Sequence, residues 1–152
     1  MPDTTDPVHA RFGALVSHTA RIWRRAVNQR LQPYGLTEAT WLPLLRLARA
    51  DRPMRQKDLA ASLGLDGSSV VRLLDALESA GLVERREEDG DRRAKAIVLT
   101  PRGQSTVAQV EQVAAQVRDQ ALDGLPERDL RRAFELLEHI GRRLDADAAD
   151  PE

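Results

Sequence analysis

Residues 62–95, SLGLDGSSVVRLLDALESAGLVERREEDGDRRAK, constrain the fold more than any other stretch of the chain. They read as a turn, a helix and a tight hairpin. Asp66 suits an N-cap, because its carboxylate accepts from backbone N–H groups that a first helical turn leaves unpaired, with Ser69 three residues on. Val70, Leu73, Leu74 and Leu77 recur at three and four, which gathers them on one face. The opposite face starts with Ser68, Ser69 and Arg72, two short donors and one long cation near the N-terminal end. Gly81 stops the helix, where a residue without Cβ takes a left-handed conformation cheaply. Residues 83–85 then alternate like a strand, Asp89-Gly90 supplies reversal chemistry, and Ala96 and Val98 alternate with Ile97 and Leu99 on the return. A helix with a polar, basic leading end followed by a basic hairpin is a winged helix-turn-helix. Its helix fits a major groove of double-stranded DNA, and its hairpin tip reaches an adjacent minor groove.

Helical periodicity frames this reader on both sides. Phe12, Leu15, Val16, Ile22, Trp23, Val27 and Leu31 mark a first helix, which ends before Pro33-Tyr34-Gly35. Thr37 caps a second helix to about Ala48, carrying Trp41, Leu42, Leu44, Leu45 and Leu47. A loop through Asp51-Arg52-Pro53 leads to a short third helix from Gln56 to Leu63. After the hairpin, Thr100 caps and Pro101 occupies the first position of a long fifth helix with Val107, Val110, Val113 or Ala114, Val117 and Ala121. Gly124 breaks it, and a sixth helix from about Pro126 carries Leu130, Phe134, Leu137, Ile140 and Leu144. The expected fold is mainly α with a small β-hairpin wing. Residues 8–35 form an N-terminal dimerisation helix, 37–99 the winged helix-turn-helix, 100–144 C-terminal dimerisation helices, and 145–152 an unstructured acidic tail. The flanking helices carry stripes wide enough for more than one partner, so a lone chain would expose much apolar surface. Pairing two chains through these ends buries it; packing of the three helices on one another in a monomer is the alternative.

Charge alone does not announce a DNA binder. The net charge is −1, and residues 55–95 hold eight Lys or Arg against nine Asp or Glu. The reading rests on where the charges sit. Residues 8–32 carry five arginines and no acid, whereas residues 145–152 carry four acids and no base. The absence of cysteine excludes disulfides, zinc ribbons and thiol chemistry. No apolar run approaches the roughly 20 residues of a membrane span, so the cytoplasm is the expected location.

LESAGLVERREEDGDRRAKAIVLTPRG resembles the signature of MarR-family transcriptional regulators, with the wing motif Asp91-Arg92-Arg93-Ala94-Lys95 and the exit Leu99-Thr100-Pro101-Arg102-Gly103. RIWRRAVNQRLQPYGLTEATWLPLL is similar to the SlyA branch of that family. The resemblance runs from about Phe12 to Leu144. It implies a homodimer on a pseudo-palindrome, most commonly repressing by occlusion, with Arg93 in the minor groove and Asp91 steering its guanidinium. Arg92 alternates to the other side, toward phosphate or solvent. A two-fold protein places its reading helices about one turn, ~34 Å, apart. Base reading is expected from Ser68, Ser69 and Arg72, and phosphate contact from Gln56 and Lys57.

The SlyA-like resemblance also implies ligand contacts on the first two helices, where this chain has Arg21, Arg24 and Trp41. A guanidinium pairs with a carboxylate and an indole stacks on a benzene ring, which points to a small aromatic acid. His18 lies one turn before Arg21, while Tyr34 and Arg72 are secondary candidates. Ala39 departs from the pattern by lacking a hydroxyl. The competing reading makes Trp41 plain core and the arginines a solvated, phosphate-facing surface. No cofactor and no catalysis are expected: Ser68-Ser69 has no histidine nearby, the glycines belong to turns, and His9, His18 and His139 lack metal-ligand spacing. Glu87, Glu88, Asp89 and Asp91 read better as a solvated turn than as a cation site. Beside a ligand-responsive DNA-binding regulator stand two alternatives, a winged-helix assembly module without DNA binding and a helical small-molecule carrier.

Overall fold

The structure, a computed structural model, describes residues 7–88 and 90–149; the side chains of Asp91, Arg92, Arg93, Ala94 and Ala149 also lie outside the described part. The chain divides into two compact units, Met1–Val117 and Arg118–Glu152. In the first unit, α1 spans Pro7–Leu31 and runs into a 3₁₀ turn at Gln32–Tyr34, closed by Gly35 at φ 72°. Helix α2 spans Glu38–Arg49. Thr37 precedes it in extended conformation, but its hydroxyl lies 3.3 Å from that of Thr40 and caps no backbone N–H. Helices α3 (Gln56–Leu63) and α4 (Gly67–Ser79) are joined by a turn in which Gly64 adopts φ 64°. The hairpin is β2 (Val83–Glu88) and β3 (Asp91–Leu99), followed by α5 (Pro101–Leu122).

A strand that local patterning did not reveal completes the sheet. Met54–Arg55 forms β1, which pairs antiparallel with β3 through Met54↔Ile97 and Arg55↔Ala96. The sheet order is β1-β3-β2, so the return strand of the wing is central. This changes the expected alternation on β3, because Ala96 and Ile97 are both buried. Ile97 joins the core, while Ala96 sits in register between Arg55 and Arg86, two long side chains that flank it.

Two apolar clusters hold the first unit. Leu44, Leu59, Val70, Leu74, Leu77, Leu82, Val83, Ile97 and Val107 pack beneath the reader. Val27, Leu31, Trp41, Leu45, Val110, Val113 and Val117 form the second cluster. Helices α2 and α5 contribute to both, because each turns successive apolar residues to different neighbours. Burial of each large aliphatic side chain contributes roughly 1.5–3 kcal/mol. The junction of wing and α5 is tight. The Thr100 hydroxyl donates to the Gly81 carbonyl at 2.6 Å and accepts from the Gly103 N–H at 3.0 Å, while the Thr100 N–H donates to the Leu82 carbonyl at 3.1 Å.

The second unit is the end of α5, Gly124 at φ 74°, and α6, Glu127–Ala149. Helix α6 extends past Leu144 through residues 145–149, which corrects the expectation of an unstructured tail there. Alanines at 146, 148 and 149 add little cost when an existing helix propagates. Residues 150–152 lie outside the described part. Helix α6 leaves Phe134, Leu136, Leu137 and Leu144 exposed, and α1 leaves Val8, Phe12, Leu15, Val16 and Ile22 exposed. Among the described residues, no helix is long and apolar enough to cross a membrane.

Candidate nucleic-acid interface

Helix α4 is aimed by its cap. Asp66 accepts from the Ser69 N–H at 2.7 Å and from the Ser68 hydroxyl at 3.0 Å. These bonds hold its carboxyl below the usual range, the Ser69 backbone N–H being the largest cause. Val70, Leu74 and Leu77 point into the core, so the opposite stripe faces outward. That stripe is Ser68, Val71, Arg72 and Asp75, at intervals of three, one and three, all exposed. Ser69 is half-buried and its N–H is committed to the cap, so it belongs less fully to the reading face than its position suggested. Val71 was absent from the expected contacts. Its spacing three residues after Ser68 was the available signal, and an exposed valine there suits a thymine methyl. Among the described residues Arg72 has no ion-pair partner, which leaves its fork available for a guanine edge or a phosphate.

Acidic groups outnumber basic ones in this domain, yet most are occupied. Arg85 on β2 spans back to α4, with Nη1 donating to Glu78 Oε2 at 3.1 Å and Nη2 to Asp75 Oδ1 at 3.0 Å. Arg86 pairs with Glu84, and Arg55 donates through Nε and Nη2 to Glu88 Oε2 at 3.1 and 2.9 Å. Asp58 accepts from the Arg55 N–H at 3.0 Å and Asp66 serves the cap. Among the described residues, Arg55, Arg85 and Arg86 thus occupy four carboxylates, those of Asp75, Glu78, Glu84 and Glu88, while Lys57, Arg72 and Lys95 remain exposed. Gln56, half-buried, and Lys57 open α3, where the free N–H groups of a helix start favour phosphate. The wing residues Asp91, Arg92 and Arg93 stand on β3 just past the turn, but their side chains lie outside the described residues.

The expected ligand residues come together only in part. Arg21 Nη2 lies 2.9 Å from His18 Nδ1 on the exposed face of α1. Arg24 Nε lies 3.7 Å from Glu38 Oε1 on α2. Trp41 is only 3% exposed and donates its indole N–H to Asn28 Oδ1 at 3.2 Å, as a member of the second core cluster. It offers almost no surface to a ligand in this conformation. No group of three metal-ligating side chains occurs among the described residues.

Comparison with known proteins agrees with this arrangement. A family model described as MarR family matches residues 34–94. The transcriptional regulator PA3341 shares 43% identity over 89% of this chain and 98% of its own, with a TM-score of 0.83. AbsC from Streptomyces coelicolor, a MarR-family regulator, shares 26% identity over 96% of this chain and 99% of its own, with a TM-score of 0.77. CouR from Rhodococcus jostii RHA1, solved with p-coumaroyl-CoA bound, shares 28% identity over 92% and 95%, with a TM-score of 0.73.

Proposed function

This chain belongs to the MarR family of transcriptional regulators, and we propose that it works in the cytoplasm as a homodimer that occupies a pseudo-palindromic DNA site and represses transcription. The observation that carries this reading is the outward stripe of α4, where Ser68, Val71 and Arg72 stand exposed over a buried Val70–Leu74–Leu77 face. Hydroxyl, methyl-bearing and guanidinium groups in one row are the chemistry of base-edge recognition. The apolar side chains left exposed on α1 and α6 support pairing of two chains, since a lone soluble chain rarely leaves so many uncovered. Two paired readers would meet half-sites ~10–11 base pairs apart.

Selection from random duplexes followed by sequencing tests the site. The expected product is an inverted repeat at that spacing; a selected site without two-fold symmetry would overturn the dimeric reading. Light scattering at micromolar concentration should return twice the mass of one chain.

The effector class best supported is a small aromatic carboxylate, held by the exposed His18–Arg21 pair on α1. Trp41 joins such a site only in a state that opens its contact with Asn28, so the ligand would favour that state and move the population away from DNA-competent spacing. Millimolar salicylate or benzoate should weaken DNA binding, and Arg21→Ala should abolish that response. Unchanged binding across a panel of aromatic carboxylates would sink the effector reading and leave a constitutive regulator.

A further inference from the structure

We propose that the Arg55–Glu88 ion pair is a positioning strut that sets where the wing tip meets DNA, an inference that rests on the DNA-reading function above. Arg55 ends β1 and stands immediately before α3, its own N–H donating to Asp58 at 3.0 Å, so its backbone is anchored to the front of the reader. Its guanidinium reaches a residue 33 positions away and places two donors on one oxygen of Glu88. The route crosses the central strand. Arg55 and Arg86 both stand opposite Ala96 in register, and Glu88 lies two residues beyond Arg86 toward the tip. Small Ala96 leaves the path clear for the long side chain.

The outer wing depends on this contact because apolar packing does not reach it. Val83 is buried at the base of β2, but Arg86, Glu87, Gly90 and Lys95 are all exposed. A bare two-stranded ribbon is marginally ordered in water. The Arg85 fork to Asp75 and Glu78 secures the base of β2 against α4. Glu88 is the last residue of β2, follows a register shift, and pairs with Asp91 across the turn. Anchoring Glu88 therefore anchors the point from which Asp91-Arg92-Arg93 departs. Among the described residues, this is the ion pair that ties the outer wing to the helical body. The side chains are 48% and 31% exposed, so the pair adds little to global stability and its effect is on geometry.

The chain contains no cysteine, so a spin-label pair can be introduced cleanly at Ala61→Cys on α3 and Glu87→Cys on β2. Labelled protein is diluted with unlabelled protein so that distances within one chain dominate. The wild-type pair should give one narrow distance; Glu88→Gln and Arg55→Gln should each broaden it, and the exchange Arg55→Glu with Glu88→Arg should narrow it again. In parallel, affinity is measured on the selected site with its own flanks and with G·C-replaced flanks. Glu88→Gln removes a negative charge and Arg55→Gln a positive one, so overall affinity should move in opposite directions. Discrimination between flanks should nevertheless fall in both, by about two- to fivefold, the scale of a partly exposed ion pair. The exchange variant should recover it. Unaltered distances, or flank discrimination that survives both single variants, overturns the strut. A wild type that selects no duplex at all would defeat the DNA-reading function instead, while the distances still decide whether the pair holds the wing.

Discussion

Gly103→Ala should destabilise the protein, although helix propensity alone predicts the opposite sign. Gly103 is the third residue of α5, and alanine in a helix normally gains about 0.5–1 kcal/mol over glycine. Here a Cβ would stand 2.0 Å from the Leu82 carbonyl oxygen, about 1 Å inside the 3.0 Å closest approach of real Cβ atoms, with Leu99 Cδ2 at 3.3 Å. The obstacle is backbone and cannot rotate away. That same carbonyl accepts from the Thr100 N–H at 3.1 Å, so relief moves the start of α5 away from the turn that leads into β2 and strains the Thr100 clasp. Overpacking costs roughly 1–3 kcal/mol, and each weakened hydrogen bond adds about 1 kcal/mol. Less the propensity gain, the expected loss is roughly 2–4 kcal/mol. For a chain of this size that lowers Tm by roughly 5–15 °C. Urea and thermal melts by far-UV circular dichroism, at one fixed protein concentration, measure it. Gly67→Ala is the control, since nothing lies within 4 Å of a Cβ there; its stability should be unchanged or slightly raised. A Gly103→Ala protein as stable as wild type would refute the close-approach argument.

Three further outcomes are expected. Arg72→Ala should cost ~1–3 kcal/mol of DNA binding and relax preference at one base step, read by mobility shifts on singly substituted sites; an equal loss on every sequence would make Arg72 a phosphate contact. Arg93→Ala should weaken binding more than Arg92→Ala, most clearly with A·T-rich flanks, whose narrow minor groove concentrates negative potential; equal effects would undo the assignment. Asp66 is held below its ordinary 3.8 by the Ser69 N–H and the neighbouring serine hydroxyls. A depressed folded value adds stability that is present above the unfolded pKa and lost as pH falls through the folded one. Acid unfolding of wild type should therefore include a loss beginning below about pH 4, and Asp66→Asn, a neutral cap of similar shape, should flatten that part of the curve.

What the sequence by itself determined was local. Asp66 as cap, Gly81 as stop, Gln56 to Leu63 as the helix before the turn, and Pro101 at the start of α5 each depend on a few adjacent residues, and the structure places all of them as expected. Helical period also gathered Val107, Val110, Val113 or Ala114, Val117 and Ala121 on one stripe, of which the structure buries the four valines and leaves Ala121 exposed. Tertiary structure decided whatever joins distant positions. Strand β1 is two residues long and carries no period; it exists because Met54 and Arg55 find Ile97 and Ala96 some forty positions later. The Arg85 fork and the Arg55–Glu88 pair turned an acidic composition into an occupied one, which no count of charges reveals. Trp41 lay on an apolar stripe that served core and ligand wall equally well, and its packing with Val27, Leu31 and the valines of α5, with Asn28 accepting its indole N–H, buried it. Periodicity states which residues share a face. Which neighbour covers that face is a matter of chain topology, because burial is won between segments that local spacing leaves independent.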